Sequence, residues 1–222
     1  MRLSTTATRS EASILATNKV LKNTYLLLSM TLLFSAACAA VAMALNLPHP
    51  GLVVTLVGYF GLLFLTTKLR NSAWGLVSIF ALTGFMGMTL GPILNLYIHA
   101  YANGEQLVLT ALGGNGAVFL GLSAYAVTSR KDFSFMAGFL MVGVLVAFFA
   151  GLAAVLFSIP ALSLAVSAMF IVLMSGMILF QTSEIIHGGE TNYIMATISL
   201  YVTIYNLFTS LLQLLGVFAG DD

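Results

Sequence analysis

Apolar residues fill seven long stretches of this chain, about 24–45, 51–67, 74–98, 107–127, 133–157, 161–186 and 193–218, with short polar or turn-forming segments between them. None alternates polar and apolar positions as the strands of a membrane barrel do, and each is close to the ~20 residues a helix needs to cross ~30 Å of hydrocarbon. Irregular backbone cannot face lipid with its amides unpaired, so the stretches predict helices. The expected fold class is an all-α integral membrane protein, a seven-transmembrane-helix bundle over residues 23–222. The first 22 residues differ: they are rich in Ser, Thr and Ala and hold Arg2, Arg9, Glu11, Lys19 and Lys22, a net charge of +3 with little to bury. A mobile tail is expected at least to about Ser13, with an amphipathic helix start near Ile14.

Composition agrees with the pattern. The 222 residues are 60% hydrophobic and 7% charged, with a mean hydropathy of +1.05, against about 25% charged residues in soluble domains. The single cysteine, Cys38, excludes an intramolecular disulfide. Ser35-Ala36-Ala37-Cys38 departs from a lipid-attachment box at Ser35, and the apolar run continues to Leu47, so an uncleaved first span is expected.

Charge gives the expected orientation. The segments after the first, third and fifth runs carry Pro48, His49 and Pro50, then His99 to Gln106 with only Glu105, then Ser158-Ile159-Pro160. Those after the second and fourth carry Lys68 and Arg70, then Arg130, Lys131 and Asp132. A cytoplasmic N-terminus puts all eight Lys and Arg on the cytoplasmic side, as the positive-inside rule requires. Seven spans then leave the C-terminus periplasmic. Small residues four apart, namely Ala36, Ala40 and Ala44, then Gly113, Ala117 and Gly121, then Gly143, Ala147 and Gly151, predict close helix packing in one bundle. Gly91-Pro92 predicts a kink in the third helix.

Candidate chemistry is sparse. There is no HExxH, no GxSxG and no paired Asp within the spans, and His49, His99 and His187 fall at opposite membrane borders. No enzymatic activity, cofactor or metal is expected. Polarity collects near the segment His187-Gly188-Gly189-Glu190-Thr191-Asn192. In the seventh run Ser199, Thr203, Asn206, Ser210 and Gln213 recur at spacings of 4, 3, 4 and 3, one stripe of a helix that has to face protein or water. In the sixth, Gln181, Glu184 and Gly188 share a face. Two readings stay open: a polar cavity between helices six and seven, open towards the cytoplasm, or an interhelical hydrogen-bond seam. Glu184 also has the option of reaching the interface to pair with Lys68, Arg70, Arg130 or Lys131.

Several strings resemble the Bax inhibitor (TMBIM) family, and more closely its enterobacterial YccA-type branch. They are Lys19 to Tyr25, Thr66-Thr67-Lys68, Gly91-Pro92, Tyr125 to Ser134, Ile178 to Ile186, Leu200-Tyr201-Val202-Thr203-Ile204-Tyr205-Asn206-Leu207-Phe208 and, most specifically, Ile186 to Ile194. The resemblance implies modulation of the membrane-anchored AAA protease FtsH, a protease that starts on an exposed cytosolic terminus. Arg2, Arg9 and Glu11 of the tail would then be the engaging segment, and the packed bundle would resist extraction. The wider family places an acid in helix six and another in helix seven, a pair that implies a pH-sensitive latch on a calcium leak. Those positions are Gln181 and Thr203 here, so the two-carboxylate latch does not carry over. A calcium or proton leak through the helix six and seven cavity remains the alternative function.

Overall fold

The computed structural model describes the backbone of residues 3–219 and the side chains of residues 17–219. Seven α-helices follow one another: α1 (Leu3–Ala44), α2 (Leu52–Leu69), α3 (Trp74–Ala100), α4 (Gly104–Ser129), α5 (Ala137–Leu156, entered through a 3-10 turn at Ser134–Met136), α6 (Pro160–His187) and α7 (Tyr193–Ala219). No strand occurs among the described residues. All seven helices are long and apolar enough to span a membrane. The boundaries of the last six lie within four residues of those the apolar runs predict. The first differs, because helical backbone begins at Leu3 rather than near Ile14. No glycine or proline interrupts residues 3–44, and Ala, Leu, Met, Lys, Arg and Glu there all favour continued helix. Arg2 lies outside the described residues. Arg9 and Glu11 lie on the first turns of α1, with side chains outside those described.

The core sits around α6 and α7, and the helices divide sharply in how much they bury. α7 packs against α1, α3, α4 and α6, whereas α2 packs on α3 and α5 on α6. Thr66 is accordingly the one fully buried residue of α2. The tightest pairing is α1 on α3. A Cβ at Gly91 would come within 2.6 Å of Ala42 Cβ and 2.7 Å of the Ala39 carbonyl oxygen, and one at Gly87 would meet the Ser35 backbone. Gly91-Pro92 stays inside the continuous helix α3. Its glycine is occupied by this close approach.

Small residues therefore do mediate packing, but not always the predicted ones. Gly143, Ala147 and Gly151 face α6, where a Cβ at Gly143 would strike Leu173 and one at Gly151 would touch Val166. Ala36, Ala40 and Ala44 instead point away from the protein, as do Gly113, Ala117 and Gly121. In α1 the buried small residues are Ser35, Ala39 and Ala42. Spacing of four defines a stripe but not its azimuth; the partner's glycines set which stripe is buried.

Candidate functional site

The segment from Gly188 to Asn192 is a built turn. Gly188 adopts φ 77°, a left-handed conformation that glycine enters without steric cost. The Gly189 amide donates to the Glu184 carbonyl (2.8 Å) and the Gly188 amide to that of Ile185 (3.4 Å), the paired closure that satisfies a helix C-terminus. Asn192 then caps α7, its Oδ1 accepting from the amides of Ile194 (3.0 Å) and Met195 (3.1 Å). Its Nδ2 donates to the Arg70 carbonyl (3.1 Å) and to Asn71 Oδ1 (2.9 Å), pinning the turn to the α2–α3 loop.

A second set of bonds holds the α4–α5 loop against the same end of the bundle. His187 Nε2 lies 3.2 Å from the Arg130 carbonyl and its Nδ1 2.9 Å from that of Ser183. Ser183 Oγ accepts from the Phe133 amide (3.1 Å) and donates to the Lys131 carbonyl (3.2 Å). Asp132 accepts from the Ser134 amide at 2.8 Å. That hydrogen bond, with His187 nearby, holds its carboxyl below the usual carboxylate range. Lys68, Arg70, Arg130 and Lys131 thus share one end of the bundle with the Gly188–Asn192 turn, all four exposed.

Two cavities open on the polar stripes of α6 and α7. A small one of about 170 Å³ sits at the turn, lined by Gln181, Glu184, Gly189, Glu190 and Ser199 with Phe180, Ile185 and Ala196. Both carboxylates face it, and no basic side chain lines it. A larger cleft of about 660 Å³ lies among α2, α3, α5, α6 and α7. Gln181 and Ser199 line both spaces, while Thr203 and Asn206 line only the larger. Ser210 is buried and lines neither. The larger cleft runs along α6 from Phe170 to Gln181 and along α7 from Met195 to Asn206, and beside it polar side chains join the two helices directly. There Thr203 Oγ1 lies 3.1 Å from Gln181 Oε1 and 2.9 Å from the Ser199 carbonyl, two acceptors for one hydroxyl proton. Further along, Gln213 Oε1 accepts a hydrogen bond from Ser167 Oγ (2.7 Å) and its Nε2 donates to Ser163 Oγ (2.6 Å).

Other buried polar contacts were not legible in the α6 and α7 stripes. Tyr201, almost fully buried, places its hydroxyl 2.6 Å from Ser35 Oγ and 3.3 Å from the Thr83 carbonyl, joining α7 to α1 and α3. Thr182 Oγ1 lies 3.4 Å from the Tyr25 hydroxyl and 3.5 Å from Ser123 Oγ, joining α6 to α1 and α4. Tyr201 stands two residues from Thr203 and so off its face. The only signal in the sequence is a polar ring tip in an apolar run, which needs a partner when buried. Among the described residues, no group of three His, Cys, Asp or Glu is arranged to hold a metal ion.

Seven apolar helices with a buried polar seam and two cavities on it define the class, a multi-pass helical membrane bundle. More particularly, the chain belongs to the Bax inhibitor family: residues 17–220 match the family described as "Inhibitor of apoptosis-promoting Bax1". It is 58% identical over 203 residues to PA2604 of Pseudomonas aeruginosa, covering 91% of each chain. It is 53% identical over 216 residues to the Escherichia coli K12 protein named "Modulator of FtsH protease YccA", covering 97% of each. PM0402 of Pasteurella multocida is 50% identical, covering 96% of each.

Proposed function

We infer that this chain is a non-enzymatic inner-membrane protein that binds FtsH and restrains the protease's action on other membrane proteins, engaged through its N-terminal tail of residues 1–22. The observation that carries this reading is end-to-end identity of 53%, over 97% of both chains, with a relative named for that modulation. The architecture suits it. α1 starts at Leu3 while its apolar run begins near Thr24, so at 1.5 Å per residue about 30 Å of helix precedes that run. Behind that handle stands a bundle whose helices are tied by buried hydrogen bonds and by glycine-mediated contact, which opposes extraction one helix at a time.

The test is reconstitution. Purified FtsH should co-purify with this protein and degrade a membrane substrate more slowly in its presence; unchanged turnover without co-purification would remove the reading. The same reading requires a cytoplasmic N-terminus and a periplasmic C-terminus. A phosphatase fused after the C-terminus should be active and one fused after Arg130 inactive, and the reverse pattern would invert the topology. A calcium or proton leak draws less support. The positions at which the wider family resemblance implies acids are Gln181 and Thr203, neutral side chains in contact with each other at 3.1 Å.

A further inference from the structure

We propose that the 660 Å³ cleft is a binding site for a membrane phospholipid, with one acyl chain lying between α2 and α5 and the phosphate held by the basic residues at the ends of those helices. The cleft has the size of ordinary small-ligand sites, which run from about 300 to 1,000 Å³. Its wall is mainly apolar, with Phe85, Phe148, Phe170, Met174, Met177 and Met195 among the contributors. Of its polar members, Thr203 is engaged with Gln181 and the Ser199 carbonyl, and Asn206 Nδ2 donates to the Val202 carbonyl at 2.8 Å. Among the described residues no charged side chain lines the cleft and most of its lining is apolar, so an apolar chain is a better occupant than an ion.

The opening faces the right medium. α2 rests on α3 and α5 on α6, and the Phe60 ring meets the edge of Phe148 across the gap with centroids 6.1 Å apart. Three residues that line the cleft are themselves exposed at this gap: Phe60 at 48%, Leu145 at 52% and Phe149 at 61%. At mid-span depth the surrounding medium is hydrocarbon, so the chains that meet this gap belong to lipids. From Thr67 to Thr55, both on its wall, the cleft runs about 18 Å along α2.

Charge decides which lipid atom stands at the mouth. Both gateposts end in basic residues on the side of the Gly188–Asn192 turn. Lys68 and Arg70 close α2, while Arg130 and Lys131 precede α5, with Asp132 alone opposing them on those two segments. Lys131 Nζ lies 3.3 Å from the Tyr125 hydroxyl and 5.9 Å from the centre of its ring, contacts that leave its charge uncompensated. Glu184 and Glu190 face the adjoining small cavity instead, on the α6–α7 side. Basic clusters between spans at a membrane border suit lipid phosphate, each Lys or Arg adding to the attraction.

The test needs no FtsH, so its outcome is separate from that of the protease reading. The full-length protein is delipidated in detergent and titrated with dioleoyl phosphatidylglycerol, or with monoolein as an uncharged lipid carrying the same chain, and bound lipid is counted by native mass spectrometry. A single phosphatidylglycerol is expected, bound about tenfold more tightly than monoolein. Val202→Trp, which fills the cleft, should abolish that adduct. The surface variant K68Q/R70Q/R130Q/K131Q, which leaves the bundle interior untouched, should bring the two lipids to equal affinity. No one-to-one adduct, an adduct that survives Val202→Trp in folded protein, equal binding of both lipids by the unaltered chain, or a co-purified peptide in the cleft instead of lipid would each overturn the proposal.

Discussion

Removal of residues 1–18 is expected to lengthen the protein's half-life several-fold in cells that contain FtsH, and to leave it unchanged in cells that lack the protease. The physical basis is the contrast between the two ends of α1. Its first turns precede the apolar run, which begins near Thr24. Its later turns are held by Thr197 on the Thr24 carbonyl (3.3 Å), by Ser35 on Tyr201 (2.6 Å) and by glycines of α3 pressed against Ser35, Ala39 and Ala42. A protease that begins at a terminus needs a stretch it can grip before meeting that resistance. The deletion ends before the first apolar run, which begins near Thr24, so insertion should persist, as activity of a C-terminal phosphatase fusion would report. A pulse-chase in which truncated and full-length proteins decay together would refute the tail as the point of engagement.

The second large effect concerns the α1–α3 contact. Gly87→Ala should destabilise the bundle by about 2–3 kcal/mol, whereas Gly113→Ala should leave it unchanged or raise its stability by up to ~1 kcal/mol. The two substitutions are chemically identical, and each lies within an apolar helix. At Gly113 a Cβ meets nothing within 4 Å, so what remains is the ordinary gain of alanine over glycine in a helix. At Gly87 the Cβ would overlap the Ser35 carbonyl oxygen and stand 2.9 Å from Ser35 Oγ. Backbone cannot rotate aside, so α1 has to move away and the Ser35–Tyr201 hydrogen bond lengthens with it. Unfolding in detergent, followed by temperature or by denaturant, distinguishes the two variants. Equal stabilities would mean that the α1–α3 approach is looser than these distances indicate.

Parts of the polar seam are legible in the sequence, for reasons that differ residue by residue. Ser199, Thr203 and Asn206 recur at helical spacing in an apolar run, and polar groups there have to find protein or water. Gln181 met Thr203 because both stand at similar depths from the same turn. Gly188 and Asn192 were recognisable as part of a distinctive string. Their work, closing α6 and capping α7 while holding the α2–α3 loop, appears only when Arg70 and Asn71 come into reach. The contacts of Tyr201, Thr182 and Ser123 were not legible, because each is a single polar residue whose partner lies 59 or more positions away. The larger cleft had no sequence signal, since its wall is made of the same apolar residues that face lipid elsewhere.

Sequence by itself determined that this is a seven-span helical bundle, where six of the spans begin and end, which segments carry the basic residues, and which family the chain resembles. Those properties follow from local hydrophobicity, charge and short motifs, all additive along the chain. Tertiary structure decided which small-residue stripe is buried, that hydrogen bonds join α6 to α7 at Thr203 and Gln213, and that α2 and α5 stand apart to leave a cleft. In a membrane, apolar residues suit lipid and protein neighbours alike, so hydrophobic pattern does not say which face a helix turns inward. Steric fit between particular pairs does, as where the glycines of α3 receive the backbone of α1.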